Sequence, residues 1–277
     1  FTMSVNAAIV GSDDRHEIIN APLDIQHMSK SIAALILKSN VKLMANGNFQ
    51  LSGMDYIEDL NFCKDSSFVK GQKLIANCSA SLISKNTILT AAHCIDQNSN
   101  IRIEDYYVVF DYTVNKRNVT NYILDSSQVY EIGRTLRRDF DFPGDIDVAV
   151  LELKRSVLDR EPLEIDKNRV NVGDEIYMMG FPFGLPMKYH DNGYVTKATS
   201  VLGAPNSFTH NLDSFSVNSG SSVFSKENNK IIGVLVRGSG PNYEKRNDEN
   251  CNDWGGLVKE SNHFGESNYV DLIFKDK

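Results

Sequence analysis

Apolar residues along this chain fall in short β-rich runs that alternate with turns. Ala33 to Leu37, Cys78 to Ile83, Thr87 to Thr90, Tyr106 to Phe110, Asp147 to Leu153, Glu175 to Met179, Tyr194 to Ala198 and Lys230 to Val236 all read as strands. Residues 1–30 are polar and weakly patterned, and the reading for them is an N-terminal arm lying over the surface. Lys38 to Gly71 reads as an insertion or loop ahead of the first cysteine-bearing strand, and the Asn-, Asp-, Glu- and Gly-rich stretch from Gly238 to Gly265 as a long surface loop. Asn268 to Lys275 carries Tyr269, Val270, Leu272, Ile273 and Phe274, a pattern that predicts a short terminal helix docking an apolar face. Neither an internal repeat nor a linker between domains is visible, so residues 31–277 read as one domain.

Composition narrows the function classes. The chain has 277 residues of which 41% are hydrophobic, enough to bury a substantial core. No apolar run reaches the roughly 18 residues that a membrane helix needs. Net charge is −7, and the basic residues are scattered apart from short clusters such as Arg134 to Arg138, which argues against a nucleic-acid partner. The four cysteines, Cys63, Cys78, Cys94 and Cys251, lack metal-finger spacing, so a disulfide framework is expected over a metal site, with three pairings open. Disulfides imply an oxidising compartment, hence a secreted or periplasmic protein, and a chain that opens at Phe1 without a leader fits such a mature form. Asn77-Cys78-Ser79 and Asn118-Val119-Thr120 match the glycosylation sequon, a pattern common by chance.

The candidate chemistry lies in three places. Leu89-Thr90-Ala91-Ala92-His93-Cys94 offers a base, Asp147-Val148-Ala149-Val150-Leu151 a carboxylate at a strand start, and Asn218-Ser219-Gly220-Ser221 a nucleophile in a tight glycine turn. A serine hydroxyl needs a neutral imidazole to take its proton, and that imidazole needs a buried carboxylate to fix its tautomer. His93, Asp147 and Ser219 are the required types in the chain order His, Asp, Ser. No cofactor and no metal enters this chemistry.

These three motifs resemble the trypsin/chymotrypsin superfamily of serine peptidases. Ile9-Val10-Gly11-Ser12-Asp13-Asp14-Arg15 and Gly180-Phe181-Pro182-Phe183-Gly184-Leu185-Pro186 are further similar to its bacterial glutamyl-endopeptidase-like (V8-like) branch. The resemblance spans roughly residues 9–240 and implies an all-β, chymotrypsin-like double six-stranded β-barrel. The first barrel would occupy about 31–155, and the second barrel with the C-terminal region about 156–277. It implies a secreted serine endopeptidase that cleaves a protein or peptide substrate through an acyl-enzyme intermediate. It also implies a bridge between Cys78 and Cys94 beside the histidine, with Cys63 and Cys251 the remaining pair.

In relatives the oxyanion hole is formed by two main-chain N–H groups, which places Val217 and Ser219 in that role. Relatives have glycine where Val217 stands, and a β-branched residue resists positive φ, so a flipped peptide is expected there. Ser222 replaces a usual proline, and neutral Asn218 stands where trypsin-type enzymes keep the aspartate that binds a freshly cut N-terminus. Asp213 and Ser214 match the trypsin pocket floor, with Val236, Arg237 and Gly238 as a pocket wall, implying cleavage after Arg or Lys. Arg237 could instead neutralise Asp213, and Leu235 replaces the histidine of glutamyl endopeptidases. Two alternatives stay open: an endopeptidase with an acidic preference, and a catalytically impaired pseudo-protease acting as a secreted binding or toxin-like module.

Overall fold

Continuous apolar runs such as Ile32-Ala33-Ala34-Leu35-Ile36-Leu37 and Val148-Ala149-Val150-Leu151 are covered on both faces, and the fold meets that need by closing its sheets. A computed structural model describes residues 9–95, 102–141, 145–239, 241–246, 249–255, 257–258 (main chain) and 264–275. The first barrel comprises β1 (Ile32–Leu37), β2 (Cys78–Ser84), β3 (Thr87–Thr90), β4 (Tyr106–Phe110), β5 (Val129–Asp141) and β6 (Ile146–Leu153). Its strands pair in the order β1-β2-β3-β6-β5-β4 and close through β4 on β1. The second comprises β7 (Glu175–Gly180), β8 (Lys188–Lys197), β9 (Ser207–His210), β10 (Ser222–Ser225), β11 (Ile231–Gly238) and β12 (Gly265–Tyr269). It runs β7-β8-β9-β12-β11-β10 and closes through β10 on β7. The two barrels therefore share one antiparallel topology, as expected for the double barrel.

Four barrel strands escape the run-based reading. In β5 the apolar positions Val129, Tyr130 and Ile132 give way to Arg134, Arg137, Arg138 and Asp139, and two register shifts interrupt its ladder with β6. Its strand character comes from that ladder, since one face meets solvent. β9, β10 and β12 are short and carry Ser, Thr, Asn and His, yet each is buried almost throughout.

The segments outside the barrels are built too. Within 38–71, Val41–Leu43 and Phe49–Leu51 join Ile123–Leu124 in a small sheet, and Met54–Asp55 pairs with Lys73–Leu74. Within 238–265, Tyr243–Arg246 and Cys251–Trp254 form a hairpin. In the N-terminal segment, Ile9–Val10 pairs in parallel with Leu257–Val258, and Arg15–Glu17 adds a strand to the edge of β8. It continues into α1 (Leu23–Ser29), the one α-helix among the described residues. The terminal helix is shorter and tighter than expected: Asn268 and Tyr269 end β12, and Val270–Phe274 is a 3-10 turn. No helix among the described residues is long and apolar enough to cross a membrane.

Beyond the main core, Tyr56, Phe62, Val69, Leu185, Phe215 and Trp254 form a separate apolar cluster with Ile9. It lies where the N-terminal segment, the insertion and the C-terminal hairpin meet. Cys63–Cys251 staples that region across 188 residues of chain, and Cys78–Cys94 closes the interval beside His93. Both disulfides form as the resemblance implied.

Candidate active site

β3 and β6 are neighbours in the first barrel, with Ala149 opposite Thr90, and this pairing brings the candidate base and its candidate carboxylate to one end of the barrel. His93 lies in the 3-10 turn Ala92–Ile95 that follows β3, and Asp147 is the second residue of β6. Asp147 Oδ1 accepts the His93 main-chain N–H at 2.8 Å, and Oδ2 lies 2.6 Å from Nδ1. That pairing assigns the ring proton to Nδ1 and leaves Nε2 as the acceptor. Asp147 is buried while His93 is partly exposed, so the carboxylate acts from within and the imidazole faces the cleft. Asn268 fixes the carboxylate's main chain, its Oδ1 accepting the Asp147 N–H at 2.6 Å. Asp145, two residues earlier, is engaged elsewhere, accepting the Asn206 N–H at 2.6 Å.

The candidate nucleophile, Ser219, lies in the second barrel, in the turn that leads into β10. Ser219 Oγ makes no hydrogen bond among the described residues. Ser79 on β2 ties this turn to the first barrel: its N–H donates to Ser219 O at 2.8 Å and its hydroxyl to Val217 O at 3.4 Å. Gly220 has φ +85° and lies against Ser79 O and Thr90, so any side chain there would collide with the other barrel.

Val217 departs from the expectation. It adopts φ +73°, the left-handed region that a β-branched residue was expected to refuse. The surrounding contacts over-determine that conformation. Ser216, immediately before, is held by Phe183 N–H donating to its carbonyl at 2.7 Å, by its own N–H donating to Asn242 Oδ1 at 2.8 Å, and by Asn242 Nδ2 donating to its hydroxyl at 2.9 Å. Asn218 is fully buried with no partner for its side-chain amide among the described residues. Ser222, in place of the usual proline, shares a 2.7 Å hydrogen bond with Ser81 across the barrels.

The pocket residues part from the trypsin-like pattern. Asp213 Oδ1 accepts the Val10 N–H at 2.8 Å and Oδ2 the Asp14 N–H at 3.1 Å, so both oxygens are engaged by the N-terminal segment. Burial pushes this carboxyl up to about 7, against the pull of those N–H groups and of Arg15. The pairing of Arg237 with Asp213 is corrected: Arg237 forms an ion pair with the fully buried Glu266 at 3.0 Å, its ladder partner on β12. Glu266 also accepts the Val201 N–H at 2.9 Å. Ser214 is buried with no partner for its hydroxyl among the described residues, Val236 is fully buried, and Gly238 pairs with Gly265. Among the described residues, two groups of side chains have a metal-ligand arrangement, and each relies on a pair of sulfurs already joined in a disulfide.

Arg15 lies in the segment similar to the V8-like branch and Ser79 in a glycosylation sequon, but neither pattern assigned a role at this site, and no motif pointed to Asn242 or Asn268. Each acts through a main-chain or ring contact with a residue distant in sequence, and a polar residue on a strand or loop carries no local signal of such a partner. Asp213 is the exception, since a carboxylate six residues before the nucleophile did draw attention.

Comparison with known proteins agrees with the architecture. The family model described as a trypsin-like peptidase domain matches residues 78–234, more than half of the chain. Among solved structures, a Glu endopeptidase in complex with MPD superposes with a TM-score of 0.54, at 16% identity over 96% of each chain. No curated protein matches the sequence. The family match spans His93, Asp147 and Ser219, and the fold is the double barrel: the chain belongs to the trypsin-like peptidase family and is a serine endopeptidase of the chymotrypsin fold.

Proposed function

We propose that the protein hydrolyses peptide bonds through an acyl-enzyme formed on Ser219, with His93 as general base and Asp147 as its orienting carboxylate. The observation that carries this is the two-point contact of Asp147 on His93, at 2.8 Å to the main-chain N–H and 2.6 Å to Nδ1. With its proton on Nδ1, the ring takes the Ser219 proton at Nε2 as Oγ attacks the carbonyl, then returns it to the leaving amine. Val217 and Ser219 N–H would bind the oxyanion, the positive φ of Val217 supporting a hole already formed at rest. The two disulfides support an exported protein working in an oxidising compartment.

Substrate choice is read differently from the sequence expectation. A basic side chain needs an unengaged carboxylate, and Asp213 already serves two N–H groups and is pushed up to about 7. An acidic side chain needs an available cation, and Arg237 is neutralised by Glu266. Preference for an uncharged residue before the scissile bond follows, and a peptide-library profile enriched in Arg, Lys, Asp or Glu there would overturn it. For the reaction itself, a fluorophosphonate probe is expected to label the protein at Ser219. Ser219→Ala should abolish labelling and lower turnover by about 10⁴ to 10⁶. A folded protein that takes no label supports the pseudo-protease instead.

A further inference from the structure

Arg15 is nearly fully buried, yet it belongs to neither barrel core. Its guanidinium makes two hydrogen bonds to Asp13, at 2.7 and 2.8 Å, and lies 4.3 Å from the ring of Phe215, 4.5 Å from Trp254 and 5.1 Å from Phe68. One guanidinium nitrogen, Nη1, has no hydrogen-bond partner among the described residues. A buried cation balanced by one carboxylate and three ring faces is an expensive way to fill space, since an apolar side chain of similar volume packs without desolvating a charge. What the arrangement supplies is direction: the guanidinium plane fixes Phe215, and the same segment fixes Asp213 through Val10 and Asp14 N–H.

Asp213 and Phe215 open the loop that ends at Ser219. Within it Val217 holds φ +73°, a conformation strained for a β-branched residue that persists only where neighbours impose it. The first barrel reaches the loop's end, through Ser79 on Val217 and Ser219. Its beginning is held by segments outside the barrels: the N-terminal segment at Asp213 and Phe215, and Asn242 at Ser216. Asn218 contributes through its main chain, its N–H donating to Phe215 O at 3.0 Å, while its buried side-chain amide has no partner among the described residues.

We infer that the N-terminal segment Val10–Arg15 is the positioning element of the oxyanion loop. Arg15 is its positioning residue, acting through Phe215, with Asp213 as the second anchor. The donors to Asp213 are the main-chain N–H groups of Val10 and Asp14. The inference rests on the proposed acyl-transfer reading for its kinetic consequence, while the positional consequence stands apart from turnover.

The test uses the full chain with Arg15→Met, which keeps a long apolar stem and removes the cation, alongside Arg15→Lys and Asp213→Asn. Arg15→Met is expected to lower kcat by about 10²-fold with KM within about twofold, since misplacing an oxyanion donor costs the transition state far more than the ground state. Arg15→Lys should recover part of that loss by restoring the cation over Phe215. Affinity for a peptide boronic acid, which forms a tetrahedral adduct, should fall with kcat, while affinity for a non-covalent product peptide should not. Hydrogen exchange of the 213–219 peptide should quicken at least about tenfold in Arg15→Met, with β3 and β6 unchanged. Should Arg15→Met fail to fold, Asp213→Asn carries the same measurements, because an amide can accept only one of the two N–H bonds. A folded variant with parental kcat, or with its whole loss in KM, overturns the inference, as does unchanged exchange over 213–219. A parent that neither turns over nor labels at Ser219 sinks the acyl-transfer reading instead, and the exchange experiment still decides the clamp.

Discussion

The two halves of the candidate active site are held in different ways. His93 and Asp147 sit at the ends of adjacent strands, and the β3–β6 ladder that fixes them is part of a closed barrel. The loop carrying Val217 and Ser219 begins among segments that no barrel requires: Val10–Arg15, Phe183, Asn242 and Trp254. Those segments are joined by aromatic packing, with Phe62 4.8 Å and Phe215 5.5 Å from Trp254, and by the Cys63–Cys251 bridge. A regular ladder can place a base and a carboxylate, but a main-chain N–H turned against its residue's own φ preference needs many irregular contacts. The first half is held by its barrel ladder with an added contact, from Asn268 to the Asp147 N–H; the second is held at its start by several segments of remote chain.

The sharpest break of the first half is Asp147→Asn. The amide would offer His93 Nδ1 an acceptor and a donor of similar shape, the imidazole would take the wrong tautomer, and turnover should fall about 10⁴-fold with the fold retained. Steady-state kinetics with a melting curve checks this. Asp145→Asn should be mild for turnover, because Asp145 serves Asn206 and not His93; the opposite ranking would move the carboxylate's assignment.

The same contrast sets what was legible in the sequence. His93, Asp147 and Ser219 could be found because each lies in a short run whose local pattern, an apolar strand or a Ser-Gly turn, belongs to the element that positions it. The loop's conformation could not. Valine at position 217 argues locally against positive φ, and only the contacts of Ser79, Phe183 and Asn242 around it reverse that preference. The barrels were legible where β1 and β4 are apolar throughout and β6 is apolar from Val148 to Leu151. They were not where β5 exposes charged residues on one face, or where β9 and β12 bury Ser, Thr and Asn through hydrogen bonds between strands. Asp213 was noticed for its position, but whether a carboxylate meets substrate or its own main chain depends on residues some two hundred positions away.

Removing Cys63–Cys251, as Cys63→Ala with Cys251→Ala, breaks the second half from outside. Loss of such a bridge costs about 2–5 kcal/mol. Its 188-residue span should put that cost on the peripheral segments, with exchange rising in 56–69, 213–219 and 251–254 before the barrel ladders. Uniform loss of protection across both barrels would show that the periphery is not a separable unit.

Buried groups in the second half give a smaller, pH-dependent signal. Asp213 is pushed up to about 7 by burial, so between about pH 4 and 7 the folded protein keeps a proton that the unfolded chain loses, and this group makes stability fall as pH rises. His190, on β8 with Arg15, Asp13 and Lys188 around it, is pushed down to about 3 by burial and then by Arg15. Below about pH 6.5 the unfolded chain gains a proton that folded His190 refuses, so this group makes stability fall as pH drops. From about pH 4 to 6.5 the two slopes oppose each other, each near 1.4 kcal/mol per pH unit at most. In Asp213→Asn, stability measured by urea unfolding should therefore rise with pH across that window, and in His190→Leu it should fall. Slopes of the same sign in both variants would show that these groups do not titrate as their burial implies.

The finest test is Val217→Gly. Glycine accepts φ +73° without the roughly 1–2 kcal/mol that left-handed geometry costs an L-residue, yet it adds about 0.5–1 kcal/mol of backbone entropy to the unfolded chain. It also deletes a side chain packed against the main core. These contributions oppose one another, so stability should change by less than about 1 kcal/mol. Turnover on a small ester should stay within about threefold, because the clamp at Asp213, Phe215 and Ser216, rather than the residue at 217, sets the direction of the N–H. A rise in turnover of about tenfold or more would mean that valine had kept the peptide flipped in the resting enzyme, and an equal fall that its side chain itself holds the loop. Only the near-neutral result is compatible with a hole positioned by remote segments.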